Sequence, residues 1–182
     1  MNEYERLFHM YGCGVFDYRL RFAPRDIRQE LVHKYAYAVP TQQAIDRIHK
    51  FAGSIVEIGA GTGYWAMLLA QAGFEVHAYD NALRDSLFFP VQIGSVRSVQ
   101  YHPEAALMLC WPPYRKQMAN NALRSYQGSQ LIYIGEDDYG CCANDAFFNR
   151  LKREWNCVDT VSIPQWDSIY DYVWLYERRL ES

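Results

Sequence analysis

The chain has 182 residues, a formal net charge of −3 and a hydrophobic fraction of 50%. This length suffices for one compact domain, and the apolar content argues against intrinsic disorder. No apolar run is long enough to cross a membrane, and the N-terminus lacks the layout of a secretory signal. The small negative charge gives no overall attraction to nucleic acid.

The cysteines predict an intracellular protein. They show neither the paired spacing of a metal site nor a disulfide framework. We therefore expect reduced thiols in a cytoplasmic or nuclear compartment, no secretion and no bound metal. The five residues are Cys13, Cys110, Cys141, Cys142 and Cys157.

The N-terminal segment, residues 1–50, is predicted to be helical and aromatic, with breaks at Pro24 and Pro40. Apolar residues at helical spacing follow Thr41, which indicates a helix start. This segment precedes a larger domain over 51–182. It either covers a ligand as a lid or forms a plain hydrophobic layer over the sheet.

Two further features of this segment are left open. A lid would have a hinge near Tyr11, Gly12 and Gly14. A basic run is either a solvated helix face, the default, or an edge that faces phosphate. The run consists of Arg19, Arg21, Arg25, Arg28 and Lys34.

The stretch from Ile55 to Asp80 predicts a strand, a glycine turn, a helix and a second strand. The first strand is expected over 55–58 and the second over 75–79. Because glycine has no Cβ, a glycine turn can adopt positive φ and let a ligand approach closely. Asp80 ends the second strand, where it is placed for the hydroxyls of a ribose. The buried face of the helix is predicted from Ala66, Met67, Leu68, Leu69 and Ala70.

The spacing of the turn argues against a dinucleotide. That pattern is G-x-G-x-x-G, whereas here Tyr64 occupies the position of its third glycine. An aromatic residue there would crowd a pyrophosphate at the helix N-terminus. Glu57, two residues before the first glycine, suits a cationic ligand instead.

The segment resembles motif I of the class I S-adenosylmethionine-dependent methyltransferases, (Asp/Glu)-x-G-x-G-x-G. Glu57, Gly59, Gly61 and Gly63 match it position for position. The resemblance implies S-adenosyl-L-methionine as cofactor, with Glu57 near its methionine moiety and Asp80 at its ribose. It also implies contacts from neighbouring positions and strand ends, namely Ala60, Asn81, Gly94, Ser95 and Cys110.

The rest of the chain alternates strands and helices, as in a parallel sheet covered on both faces. We predict an α/β fold, a seven-stranded, mostly parallel Rossmann-like methyltransferase sheet with helices on both faces and an N-terminal helical segment. The resemblance implies that the last two strands are antiparallel. The later strands are predicted near 91–93, 105–110, 130–134, 157–163 and 170–176, and the helices over 118–126 and 145–155.

The segment from Cys110 to Tyr114 resembles motif IV of the amino-methyltransferases, (Asp/Asn/Ser)-Pro-Pro-(Tyr/Phe/Trp). This resemblance implies that Trp111, Pro112, Pro113 and Tyr114 form the catalytic loop, with Tyr114 stacking on the target. Trp111 departs from the motif, because an indole N–H donates and cannot accept a hydrogen bond. It could instead stack on a planar substrate or on the sulfonium, or form a rigid wall, while the carbonyls of Trp111 and Pro112 hold an amine.

Acidic residues after the fifth strand are candidates for a general base, which such a transfer needs only if the acceptor is protonated. They are Glu136, Asp137 and Asp138, and a solvated loop is the alternative. His102 is another candidate, for which a plain surface histidine is the alternative.

Three functions follow. The first is an S-adenosylmethionine-dependent methyltransferase acting on an amine or another nucleophile in a nucleobase, a protein side chain or a small molecule. The second is a catalytically silent cofactor-binding protein, or a regulatory subunit whose partner recognises the substrate. The third is a nicotinamide-dependent oxidoreductase, against which Glu57 and Tyr64 argue.

Overall fold

The computed structural model describes residues 1–11 and 25–180. Within them, seven strands form one sheet in the order β3-β2-β1-β4-β5-β7-β6. The strands are β1 Ser54–Ile58, β2 Glu75–Asp80, β3 Val91–Ile93, β4 Ala106–Cys110, β5 Gln130–Gly135, β6 Trp155–Ser162 and β7 Tyr172–Arg178. The helices are α1 Glu3–Tyr11, α2 Arg25–Lys34, α3 Gln42–Phe51, α4 Tyr64–Gln71, α5 Met118–Ser125 and α6 Asp145–Glu154, with a 3-10 helix over Val96–Tyr101.

Strand β7 is antiparallel to both of its neighbours, whereas strands β1 to β5 pair in parallel. The parallel strands therefore end at one edge of the sheet, which we call the carboxyl edge. Because β7 runs the other way, it begins at this edge, with Tyr172 opposite Gly135. The mostly parallel α/β prediction is confirmed.

Apolar side chains alternate between the two faces of the sheet, and each face carries its own core. On one face Val56 and Leu107 pack in a cluster with Leu123 of α5 and Phe147 of α6. On the other face Ile55, Met108 and Ile132 pack with Ile48 of α3 and Trp65 of α4. The helices thus cover both faces. Helix α3 packs in the core of the sheet, although it spans the boundary expected at residue 50 between the N-terminal segment and the larger domain.

Helix α4 buries a face different from the one that the sequence predicted. Tyr64, Trp65, Ala66 and Leu69 are buried. The predicted members Met67, Leu68 and Ala70 are only partly buried. The reason is the N-terminal segment, which covers the first turn of α4 and so buries its two aromatic residues.

The N-terminal segment is joined to the sheet by a cluster of aromatic residues. The Tyr4 ring of α1 stacks on Tyr35 with 5.0 Å between centroids, and Tyr64 Oη donates to Asn2 Oδ1 at 3.2 Å. The cluster consists of Tyr4, Phe8, Leu31, Tyr35, Val39, Tyr64 and Trp166. It ties α1 and α2 to the start of α4 and to the loop between β6 and β7.

Helix α3 begins as the sequence predicted, since Thr41 Oγ1 accepts a hydrogen bond from the Ala44 N–H at 3.1 Å. The hinge expected at Gly12 and Gly14 and the break at Pro24 lie outside the described residues. Among the helices of residues 1–11 and 25–180, none combines the length and apolar character needed to cross a bilayer.

Candidate functional site

A cleft of about 670 Å³ lies between the glycine turn and the N-terminal segment, and we call it the main cleft. This volume is within the range of about 300–1,000 Å³ typical of small-molecule sites. Glu57, Gly59, Ala60, Gly61 and Cys110 line it from the carboxyl edge. From α2 and the segment after it come Arg28, His33, Tyr35 and Tyr37.

The glycine turn leaves one open position. Gly59, Gly61 and Gly63 all have positive φ. A Cβ on Gly61 would meet no atom within 4 Å, whereas on Gly63 it would lie 2.9 Å from Phe89 Cβ. The backbone at Gly61 therefore borders free space in the main cleft, while Gly63 packs against the chain that precedes β3.

Asp80 lies against this turn. Its Oδ2 accepts a hydrogen bond from the Gly61 N–H at 2.8 Å, and its Oδ1 accepts one from the Ala82 N–H at 3.1 Å. The carboxylate thus fixes the turn from the end of β2. Asp80 itself is not among the residues that line the main cleft, although Gly61, to which it is bonded, is.

Glu57 is the buried acid of the main cleft. Its side chain is 2% exposed, and its Oε2 has no hydrogen-bond partner among the described residues. Burial, and then the charge of Asp80, raises the pKa of Glu57 to about 8. An isolated buried carboxylate is unfavourable, so this one is suited to a cationic ligand.

The other predicted cofactor contacts lie outside the lining of the main cleft. Asn81 is exposed. The Gly94 N–H donates to the Asp80 carbonyl at 2.8 Å. Ser95 caps the 3-10 helix, because its Oγ accepts from the Arg97 N–H at 3.2 Å. Gly94 and Ser95 are therefore engaged in holding the chain after β3.

Trp111 follows β4 and has a left-handed φ of 48°. Its indole Nε1 donates to Oδ1 of Asp171 at 2.8 Å. Its ring stacks on Tyr37, with 5.1 Å between centroids and 20° between planes. The indole is therefore held at its N–H by the chain before β7 and covered on one face by the N-terminal segment.

The rest of the Pro-Pro loop turns away from the main cleft. The Pro112 carbonyl accepts a hydrogen bond from the Ala143 N–H at 2.9 Å, so one of its two lone pairs is already engaged in holding this loop. Pro113 is exposed. Tyr114 is 48% exposed, carries Arg115 over its ring at 4.9 Å, and lines a separate cleft at the start of α6.

The candidate bases are engaged in structural contacts. Glu136 Oε2 accepts from the Cys141 N–H at 2.7 Å and Oε1 from the Tyr170 N–H at 3.1 Å. Asp138 pairs with Lys152, and Asp137 Oδ1 accepts from the Tyr139 N–H at 3.0 Å. The ring of His102 contacts Tyr79 Oη at 2.9 Å through Nε2 and stacks on His77.

Sequence reasoning missed Asp171 in this region. It placed Arg28 in a basic run, for which a phosphate-facing edge was the alternative, and Tyr37 in the segment left open as a lid. Arg28 lines the main cleft, and its Nε is buried without a partner among the described residues. Asp171 is 0% exposed and comes directly before β7. An antiparallel last strand begins at the carboxyl edge, so an acidic residue at its start was the signal that could have found it.

Three solved structures have a similar fold. The magnesium protoporphyrin IX methyltransferase ChlM from Synechocystis PCC 6803, crystallised with SAM, is 12% identical over 98% of each chain with a TM-score of 0.51. The same enzyme with SAH is 11% identical over 97% of this chain and 94% of its own, with a TM-score of 0.53. A mutant of MtNAS in complex with S-adenosylmethionine is 14% identical over 88% of this chain and 64% of its own, with a TM-score of 0.54.

No protein-family model matches the chain, and no curated protein matches it significantly in sequence. At 11–14% identity the likeness to the solved structures concerns the fold. The sheet agrees with it, because seven strands with an antiparallel last pair were predicted from the motif I resemblance. The position of β7 between β5 and β6 is a finding of the structure. The chain has the Rossmann-like fold of the class I S-adenosylmethionine-dependent methyltransferases.

Proposed function

We propose that the chain is an S-adenosylmethionine-dependent methyltransferase that acts on an amine or another nucleophile. The observation that carries this proposal is Glu57, a buried carboxylate with an unpartnered oxygen that lines the main cleft beside the open turn at Gly61. S-adenosylmethionine is a nucleoside with a sulfonium and an ammonium at one end, and it matches this combination. Solved proteins of the same fold contain it or its demethylated product.

The residues present fit that cofactor. Gly61 and Asp80 would hold the ribose, and Glu57 and Cys110 would border the methionine end. When bound, the cofactor supplies an activated methyl group on positively charged sulfur. The chain's own task is then to align the acceptor and to exclude water, which can supply most of the rate enhancement.

The test is a thermal-shift comparison of S-adenosylhomocysteine with NAD. We expect the midpoint to rise only with S-adenosylhomocysteine, since a ligand at a hundred times its Kd stabilises by about 2.7 kcal/mol. Replacing Asp80 by Ala should weaken this binding by about 1–3 kcal/mol, because charge-assisted hydrogen bonds are lost. A shift with NAD alone, or no shift with S-adenosylhomocysteine, would overturn the proposal.

A second candidate is a silent cofactor-binding protein whose partner subunit recognises the substrate. The segment that resembles motif IV favours this candidate, because the Trp111 N–H donates a hydrogen bond to Asp171 and the Pro112 carbonyl accepts one from Ala143. Incubation with methyl-labelled cofactor and a mixture of amine, nucleobase and peptide acceptors separates the two. Binding without label transfer would support the silent protein, and transfer to any acceptor would support the enzyme.

A further inference from the structure

Asp171 combines complete burial with an unused oxygen. It lies at the carboxyl edge, directly before β7, and is 0% exposed. Its Oδ1 accepts the indole N–H of Trp111 at 2.8 Å, while its Oδ2 has no hydrogen-bond partner within the described part of the chain. Among the described acidic side chains, Glu57 shares this state, and the proposed function assigns Glu57 to the cofactor.

The charge of Asp171 reaches groups of the main cleft. Burial raises the pKa of Cys110, and the charges of Glu57 and then Asp171 add to the rise. Burial also raises the pKa of Asp171, and Arg28 opposes that rise. Cys110 and Arg28 both line the main cleft. Tyr37, another lining residue, stacks on the Trp111 indole that Asp171 holds.

The sheet order gives the direction in which a bound nucleoside would extend. Asp80 ends β2 beside Gly61 and would hold the ribose there, and Glu57 is the last but one residue of the neighbouring strand β1. The methionine end then points toward β4, the next strand in the sheet, whose last residue is Cys110. Trp111 and Asp171 do not line the main cleft themselves but adjoin it through Tyr37, on the side from which an acceptor would approach the methyl group.

The chain needs a hydrogen-bond acceptor at this place, and Trp111 cannot provide one. We propose that Asp171 provides it instead, with Oδ2 accepting the hydrogen bond and then the proton of the acceptor's amine. This inference rests on the proposed function. The acceptor's nitrogen forms its bond to the methyl carbon as the carbon–sulfur bond breaks, and the sulfur keeps the electron pair. The nitrogen then loses a proton to Oδ2, and the carboxylic acid releases it to solvent.

The environment of Asp171 suits this role. Burial raises its pKa to about 7, with the Trp111 hydrogen bond opposing the rise and Glu136 adding to it. A base works best when its pKa is near the working pH. Each oxygen of Glu136 already accepts a backbone N–H group, whereas Oδ2 of Asp171 accepts none among the described residues.

The same geometry indicates a flat acceptor. Tyr37 is 48% exposed and lies nearly parallel to the Trp111 ring. A planar ring that bears an amine would occupy the place of Tyr37 on the indole without disturbing the buried cores. Its amine would then lie beside the indole edge, where Asp171 is bonded.

The experiment uses sinefungin, the S-adenosylmethionine analogue in which a carbon bearing a primary amine replaces the methylated sulfur. Calorimetry gives its Kd and that of S-adenosylhomocysteine for the full chain, for Asp171→Asn and for Glu104→Gln. Glu104 is an exposed carboxylate two residues before β4, at the opposite edge of the sheet. We expect Asp171→Asn to bind S-adenosylhomocysteine normally and to lose about tenfold in its relative preference for sinefungin, and Glu104→Gln to keep both.

An unchanged preference in Asp171→Asn would overturn the inference while leaving the proposed function intact. Failure of the unaltered chain to bind S-adenosylhomocysteine would instead overturn the proposed function. If Asp171→Asn does not fold, the NMR resonance of the Trp111 indole N–H is measured instead in the unaltered chain, and comparison with Trp111→Phe assigns it. We expect this resonance to differ between the sinefungin and S-adenosylhomocysteine complexes, because the sinefungin amine competes for Asp171. An identical resonance in both complexes would contradict the inference.

Discussion

Glu57 and Asp171 are the two carboxylates that are both buried and left with one unpartnered oxygen within the described residues. Burial raises the pKa of Glu57 to about 8 and that of Asp171 to about 7. Acidic residues in or beside a cleft whose pKa is strongly shifted are enriched at functional sites, because burying such groups is otherwise unfavourable for folding. The two residues differ in place, since Glu57 lies within β1, one residue before its end, while Asp171 precedes β7.

The affinity for S-adenosylmethionine should depend on the ionisation of Glu57. A cation binds the carboxylate and not the carboxylic acid, so affinity should rise with pH up to about 8 and then level off. Calorimetry between pH 6 and pH 9 measures this. Glu57→Gln should bind more weakly and lose this part of the pH dependence. A pH-independent affinity in the unaltered chain would contradict the role of Glu57.

Gly61 and Gly63 should respond differently to substitution by Ala. Both have positive φ, which costs an L-residue about 1–2 kcal/mol. Gly63→Ala adds a 2.9 Å approach to Phe89 Cβ, so it should lower the thermal midpoint more. Gly61→Ala should fold, yet lose binding of S-adenosylhomocysteine, since its methyl group projects into the main cleft. Equal loss of stability in both variants would contradict this difference between Gly61 and Gly63.

The sequence predicted the elements around the glycine turn closely, because each is determined by neighbouring residues. The apolar, β-branched run at 55–58 predicted β1, and the turn glycines predicted the start of α4. The start of β7 was predicted two residues early, at Tyr170. The structure uses those two residues otherwise, since the Tyr170 N–H donates to Glu136 and Asp171 accepts from Trp111. Contacts between residues 34 and 60 positions apart leave no local pattern, so the sequence could not indicate them.

Glu136 joins two loops at the carboxyl edge, and Glu136→Gln should weaken that connection. A glutamine offers one acceptor oxygen, so one of the N–H groups of Cys141 and Tyr170 loses its partner. We expect a loss of about 1–3 kcal/mol in the free energy of unfolding, measured by urea denaturation. Asp138→Asn, which breaks an exposed pair with Lys152, is the control and should cost less than about 1 kcal/mol. Equal effects would contradict a structural role for Glu136.

For the molecule as a whole, a seven-stranded, mostly parallel sheet with an antiparallel last pair could be predicted from the motif I resemblance. The strand order and the residues that form the wall of the main cleft opposite the glycine turn could not. That wall comes from α2 and Tyr37, whose sequence carries no ligand motif. These residues reach the main cleft because Leu31 and Tyr35 are buried in an aromatic cluster with Tyr64 and Trp166, a set drawn from both ends of the chain.

The stability of the molecule should fall as pH rises from about 5 to 8. Glu57 and Asp171 hold protons in the folded state that the unfolded chain releases at lower pH. A carboxyl group whose pKa is higher in the folded state than in the unfolded state favours folding when the pH is below its unfolded-state pKa. This contribution is lost as the pH rises through 7 and 8. Urea denaturation across this range should show a loss on the order of a few kcal/mol, smaller in Glu57→Gln. A free energy of unfolding that increases with pH would contradict it.

The place of β7 between β5 and β6 has a consequence for how the sheet is assembled during synthesis. A ribosome releases β6 before β7, yet β6 has hydrogen-bonding partners only in β7 within the described sheet. The nascent β6 must therefore wait unpaired until the last strand emerges and inserts beside β5. Asp171 arrives with that strand, so its hydrogen bond to Trp111 at the carboxyl edge forms only after β7 has emerged.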